Sequence, residues 1–451
     1  VRRTSRYVAL LLLAVCALVV AACGSSDDDK GATTASGGGS GDKVKISFLT
    51  HWAPETVRSF ERVTAAFEAR HPDVDVEIRA VPFADLLTTL RSQAGGDNGP
   101  TMASIYDLWL PELVRDGVLS RAPAANAAEV RREWPANLAA AASVGGDTYG
   151  YPNEVDLYAL NYNKALFRAA GISAPPRTWD ELIADAKRLT KKDGDRITQQ
   201  GFGLISSWAA GTVHPFTSLL YSNGGELIVD GRAALDSPQA GETFDLVDQL
   251  ANKEKVASAQ MSTADANTTG PYLENFVSGK TAMIIMANWW ESALKSGMKD
   301  NYKDIATAPV PVGPSGDASH SISYSWMTVV NAKAEPAAQK AAWDFLAWLN
   351  GPTSGPHGAS AMGDILVSMG ILPSRSSDVA AFKDQLNSPF LAGYVAGLPD
   401  ARPYPVVLGG QEFTEALQQH IEAIEFGKES AADAQKAAQA DATSILARAA
   451  K

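Results

Sequence analysis

Residues 149–182 read YGYPNEVDLYALNYNKALFRAAGISAPPRTWDEL. Val155, Leu157 and Leu160 mark an apolar strand, which runs into a short helix predicted from Asn163 to Ala170. Gly171 stops that helix, because glycine enters the left-handed conformation of a C′ position without a Cβ penalty. Pro175 and Pro176 stiffen the connection. Thr178 opens the next helix with Glu181 three residues on, the spacing of a capping box.

The flanking segments continue this α/β pattern. Upstream, Val44, Ile46 and Phe48 alternate as a strand does. A helix with Val57, Phe60, Val63 and Phe67 on one face follows, then a strand with Val74, Val76 and Ile78. A helix from Phe83 to Ala94 and a Gly/Asn/Pro turn lead to a short strand ending at Tyr106-Asp107. Asn126 to Ser143 reads as one alanine-rich helix. Downstream, Gly201–Leu204 is a short strand, and Trp208 sits among Gly, Ser and Ala, a setting for an exposed ring. Ser237-Pro238 is an N-cap followed by proline at the first helical position. Phe276-Val277-Ser278-Gly279-Lys280-Thr281-Ala282-Met283 leads into a strand that ends at Asn288-Trp289-Trp290. Ser323 to Val330 is a strand, and Glu335-Pro336 starts a helix carrying Trp343, Phe345, Leu346 and Leu349. Helices at Gln411–Phe426 and Ser430–Ala449 close the chain.

The start of the chain is a processing signal. Arg2, Arg3 and Arg6 precede an apolar run, Val8 to Ala22, that is short for a membrane span. It ends Val20-Ala21-Ala22-Cys23-Gly24, which has the form of a bacterial lipobox. Residues 1–22 are expected to be removed, leaving Cys23 as the lipidated first residue, since two acyl chains anchor stably where one is marginal. A plain secretory signal or an uncleaved anchor is the alternative. Residues 23–43 are too poor in apolar side chains to order themselves and read as a tether. The net charge of −12 disfavours nucleic acid and anionic lipid as partners. Cys16 and Cys23 are the two cysteines, so no disulfide is expected once the leader is gone.

The succession of strand, Tyr-Asn-Lys, helix, Gly, Pro-Pro and Thr-Trp-Asp-Glu, together with the Phe-x-x-Gly-Lys-x-Ala-Met segment, resembles the family 1 extracellular solute-binding proteins of bacterial ABC importers. The FEARHPDVDVE stretch at 67–77 fits the same likeness. The resemblance implies a maltose-binding-protein-like α/β fold of two lobes, each a sheet flanked by helices, joined by three crossover segments. Lobe 1 would be 44–153 plus 315–371, and lobe 2 would be 154–314 plus 372–451. The crossings would follow Tyr149–Pro152, then Ala308–Pro314, then Gly370–Arg375. It implies a lipid-anchored, exported, monomeric receptor that closes over a carbohydrate and delivers it to permease subunits without altering it.

Open α/β sheets bind ligands beyond the carboxyl ends of their strands. Trp52, Asp107 and Trp109 lie just past such ends, although each could instead be packing. Trp208 and either Trp289 or Trp290 are candidate stacking surfaces, because a pyranose ring has an apolar C–H face that a Trp plane covers. Asp156 follows Pro152, where relatives often place a ligand-binding acid. Many relatives carry Gly-Gly where this chain has Ser323-Tyr324-Ser325-Trp326, so Tyr324 or Trp326 is placed to fill that space. Arg375 is either a cleft or hinge charge or a surface ion pair. Catalytic signatures are missing: there is no G-x-S-x-G, P-loop, G-x-G-x-x-G or H-E-x-x-H. The six histidines lack metal-ligand spacing, so neither metal nor cofactor is expected. The rival readings are a polyol or glycerol-phosphate receptor, which would need cationic donors, and a surface-anchored glycoside hydrolase.

Overall fold

The strand foreseen around Val155–Leu160 spans ten residues, Glu154–Asn163, and is the spine of an extended sheet. Along one edge it pairs antiparallel with Thr281–Ala287. Along the other edge lie Ile322–Tyr324 and Ile305–Ala308, and Leu372–Pro373 pairs with the first two residues of the spine. Every residue of the spine except Tyr162 is buried. A strand covered on both faces reads as a near-continuous apolar run, so the polar residues within it, Glu154, Asp156 and Asn161, stand out. A computed structural model describes residues 43–451 apart from Asp97. The leader, Cys23 and the tether up to residue 42 lie outside the described residues.

The chain enters through a second sheet of five strands. Its order is Val74–Ala80, Val44–Thr50, Met102–Tyr106, Trp326–Val330 and Gly150–Pro152. The first three run parallel, as a β-α-β-α-β opening requires. The helix Pro54–Glu68 packs through Thr56, Phe60, Thr64 and Phe67. Val57 and Val63, expected on that face, are only half-buried flanks. Phe60 and Phe67 meet Phe345 of the helix Pro336–Leu349 edge-on, at 6.0 and 5.0 Å between ring centres. That helix buries Trp343, Phe345, Leu346 and Leu349, as its spacing foretold.

The local signals around the spine hold. Asn163 caps the helix Lys164–Ala169 by accepting from the amides of Ala165 and Leu166. Gly171 takes φ +69° after it. Thr178 accepts from the Glu181 amide at 3.3 Å, and the Glu181 carboxylate reaches back to the amide of Arg177, one residue before the cap.

Three expectations change. The helix foreseen from Asn126 to Ser143 is two, Ala124–Glu133 and Ala136–Ala141. Pro135 lies between them, where it supplies no N–H and disfavours helical backbone at the residue before it. The single strand Ser323–Val330 is divided: Ile322–Tyr324 pairs with the spine, whereas Trp326–Val330 joins the five-stranded sheet. The chain therefore passes between sheets at Ser325. The stretch 308–314, read as a crossing, stays with the spine side instead. Val312 exchanges backbone bonds with Arg177 and Trp179, and the Gly313 amide donates to the Ser222 carbonyl.

Candidate functional site

A cavity of about 1000 Å³ opens between the two sheets. This is near the top of the usual range for small-molecule sites, about 300–1,000 Å³. From the five-stranded side come His51, Trp52, Phe83, Tyr106 and Trp326. From the spine side come Glu154, Asp156, Trp208, His214, Trp289, Trp290 and Tyr324.

The aromatic residues brace one another. Trp208 stands at the start of the helix Ala209–Ser222. Its ring lies over the first turn because Gly211 has no side chain; a Cβ there would stand 2.2 Å from Trp208 Cε3. The ring meets Trp289 at 5.7 Å and, across the cleft, Phe83 at 6.4 Å, both edge-on. Trp289 Nε1 donates to the Tyr324 hydroxyl at 2.9 Å, which sets the plane of the indole. Trp289 is half-buried and Trp290, packed 4.3 Å behind it, is buried; both reach the cavity. On the opposite wall His51 packs on Trp326 at 4.3 Å.

Asp156 is fully buried, and neither carboxylate oxygen has a hydrogen-bond partner among the described residues. Burial therefore pushes its pKa up. Glu154 is also raised, by burial first and by the Asp156 charge second. The two residues are two apart on one strand and so share a face. Burial has the opposite effect on the histidines, lowering His51 to about 4 and His214 to about 3, so both are neutral at pH 7. Among the described residues, no Lys or Arg lines the cavity. The site thus offers aromatic faces, neutral polar groups and carboxylates, with no cationic donor. Among the described residues no cluster of His, Cys, Asp and Glu could hold a metal.

Trp52, Asp156, Trp208, Trp289, Trp290 and Trp326 of the sequence reading are brought together here. Asp107, Trp109 and Arg375 do not line the cavity. Asp107 is buried at the crossing, accepting from the Ser325 amide at 2.8 Å while its own amide donates to the Ser325 carbonyl. Trp109 donates to Gln411 and lies edge-on behind Trp326 at 5.6 Å. Arg375 does not line the cavity: it is 3% exposed, follows Ser374, whose amide donates to the Asn153 carbonyl at the crossing, and it lies 3.1 Å from Glu133 and stacks over Trp134. Sequence reading missed Glu154, Tyr106, His51, Phe83 and His214. A second acid two residues before Asp156 was the one signal in reach, since strand periodicity places both on one face.

A family model, bacterial extracellular solute-binding protein, matches residues 53–356. The chain belongs to this family. Among relatives of the solute-binding protein, one from Brucella abortus (strain 2308), described as a binding protein, is 27% identical over 400 residues, 88% of this chain and 92% of that one. The GacH receptor of Streptomyces glaucescens, solved unliganded and with acarbose, superposes with a TM-score of 0.77 at 21% identity, covering 90% of this chain and 99% of its own. UgpB from Mycobacterium tuberculosis, in complex with glycerophosphocholine, gives 0.76 at 19% identity, covering 92% and 100%. These solute-binding structures share the two-lobed fold.

Proposed function

We propose that the protein is the extracytoplasmic binding component of an ABC importer, and that it takes a saccharide between its lobes and hands it to permease subunits. The observation that supports this most is the cavity lining: aromatic faces from both sheets, polar groups between them and no cation. Aromatic planes suit the C–H faces of sugar rings. A ligand that touches both walls binds the closed arrangement better than the open one and shifts the population towards it. The missing cationic donors weigh against glycerol phosphate, whose oxygens call for Arg or Lys.

In the same reading, lobe 1 comprises 44–153 and lobe 2 begins at 154. We place the return to lobe 1 at Ser325 rather than at 315, following the strand pairing, and the final departure after 371. The leader 1–22, lipidation at Cys23, the tether 23–43 and a monomeric state complete the proposal. No helix among the described residues is long and apolar enough to cross a membrane. The protein is read as a receptor and not a glycoside hydrolase.

The test is a thermal-shift panel of oligosaccharides, polyols and glycerol phosphates, with each mixture analysed for released sugar. Stabilisation by an oligosaccharide without turnover is expected. Stabilisation by a phosphate alone, or cleavage of the glycan, would replace this reading with one of its rivals.

A further inference from the structure

Glu154 and Asp156 make an unusual floor for a saccharide site. Glu154 is 6% exposed and Asp156 is not exposed, and both face the cavity. The neighbouring strand end takes up the local backbone donor: Asn288 Oδ1 accepts from the Leu157 amide at 2.9 Å. Neither Asp156 oxygen is met by a well-formed hydrogen bond among the described residues, although the Glu154 and Asn288 side chains stand close enough to draw its pKa down against the burial that raises it. A buried carboxylate with no donor is costly unless a proton or a counter-ion compensates it.

The cavity does not supply that counter-ion. Of its ionisable lining groups, Glu55 is acidic, His51 and His214 are held neutral by burial, and Tyr106 and Tyr324 are phenols. Trp208, Trp289 and Trp290 line the same cavity. Aromatic faces with carboxylates and no cation are the surroundings in which an ammonium group is held by both charge and cation–π attraction.

We propose that the ligand of this cleft carries a protonated amine, held by Asp156 with Glu154 beside it, so that the saccharide is an amino sugar. This rests on the saccharide reading of the cleft and narrows it. The amine adds a charged donor where the protein offers Asp156 only the neutral side chains of Glu154 and Asn288. The hydroxyl-bearing parent sugar offers only a neutral donor and requires the carboxylates to keep their protons.

The experiment is calorimetric titration of the purified protein at pH 7. The probes are glucosamine, galactosamine and mannosamine, the β-1,4 glucosamine dimer and trimer, and the matching neutral sugars in which hydroxyl replaces amine. At least one amine is expected to bind about tenfold or more tightly than its parent, the difference between a charge-assisted and a neutral hydrogen bond. Asp156→Asn is expected to abolish that preference. In the unliganded protein the same variant should raise Tm, because it removes a buried carboxylate that has no partner. Neutral sugars binding as tightly as every amine would overturn the amine assignment and leave the saccharide reading standing. Binding by neither series would overturn both. A lower unliganded Tm for Asp156→Asn would show that the carboxylate is satisfied within the protein, and would also overturn the assignment.

Discussion

The Tyr106 hydroxyl lies 2.9 Å from Nε2 of His214, joining the end of a strand in the five-stranded sheet to a helix packed under the spine. Nδ1 of the same imidazole is 3.3 Å from the Tyr158 hydroxyl, on the spine itself. A neutral imidazole has one donor and one acceptor nitrogen, so one tyrosine donates to the ring and the other accepts from it. Tyr106→Phe leaves one ring nitrogen buried without a partner. It is expected to cost about 1–3 kcal/mol, read by urea unfolding at pH 7.5.

His214 also sets a pH dependence whose sign is definite. Its pKa is lowered by burial to about 3, so the unfolded chain binds a proton that the folded one refuses between pH 6.5 and 3. The associated stability is fully present above pH 6.5 and lost as pH falls towards 3, amounting to about 2 kcal/mol by pH 5. His51, lowered to about 4, adds in the same direction. Asp107 acts oppositely: burial raises its pKa to about 8, against hydrogen bonds from Ser325 and Leu108, so its contribution falls as pH rises towards 8. Comparing wild type with His214→Gln isolates the histidine. The variant should lose less stability between pH 7.5 and 5, measured by chemical denaturation.

Gly211 is expected to govern affinity rather than stability. Alanine favours the helix by about 1 kcal/mol over glycine, but its Cβ would collide with the Trp208 ring and turn it off the cleft wall. Gly211→Ala should weaken saccharide binding by about tenfold, comparable to losing one aromatic contact, while Tm changes little. Calorimetry and thermal unfolding of the same preparation check both halves.

The Arg375–Glu133 pair tests a structural role for a residue for which the sequence left a cleft charge, a hinge charge and a surface ion pair open. Removing Glu133 strands a buried guanidinium, so Glu133→Ala is expected to destabilise by about 3 kcal/mol. Arg375→Met, which fills the same space without charge, should cost less than Glu133→Ala. Neither should change ligand affinity beyond twofold in calorimetric titration.

Much of this arrangement was legible in the chain because its signals are local. Caps at Thr178 and Ser237, the glycine stop at 171 and the apolar spacing of 336–349 each act within a few residues. The break at Pro135 was legible too, and alanine composition masked it. The passage at Ser325 was not, because it depends on which partner strand each half of 322–330 finds. The cavity shows the same division. Large aromatic residues past strand ends announced themselves, but His51 and His214 look like any scattered histidine until burial defines them. Arg375 could not be placed from sequence, because Glu133 lies 242 residues away.

The most direct test of the central claim is a crystal structure of the protein with the saccharide that stabilises it most. The expected result is sugar density in the cavity, a ring face against Trp208 or Trp289 and a polar substituent within hydrogen-bond distance of Asp156. A ligand bound elsewhere, with the space between the sheets left to solvent, would contradict it.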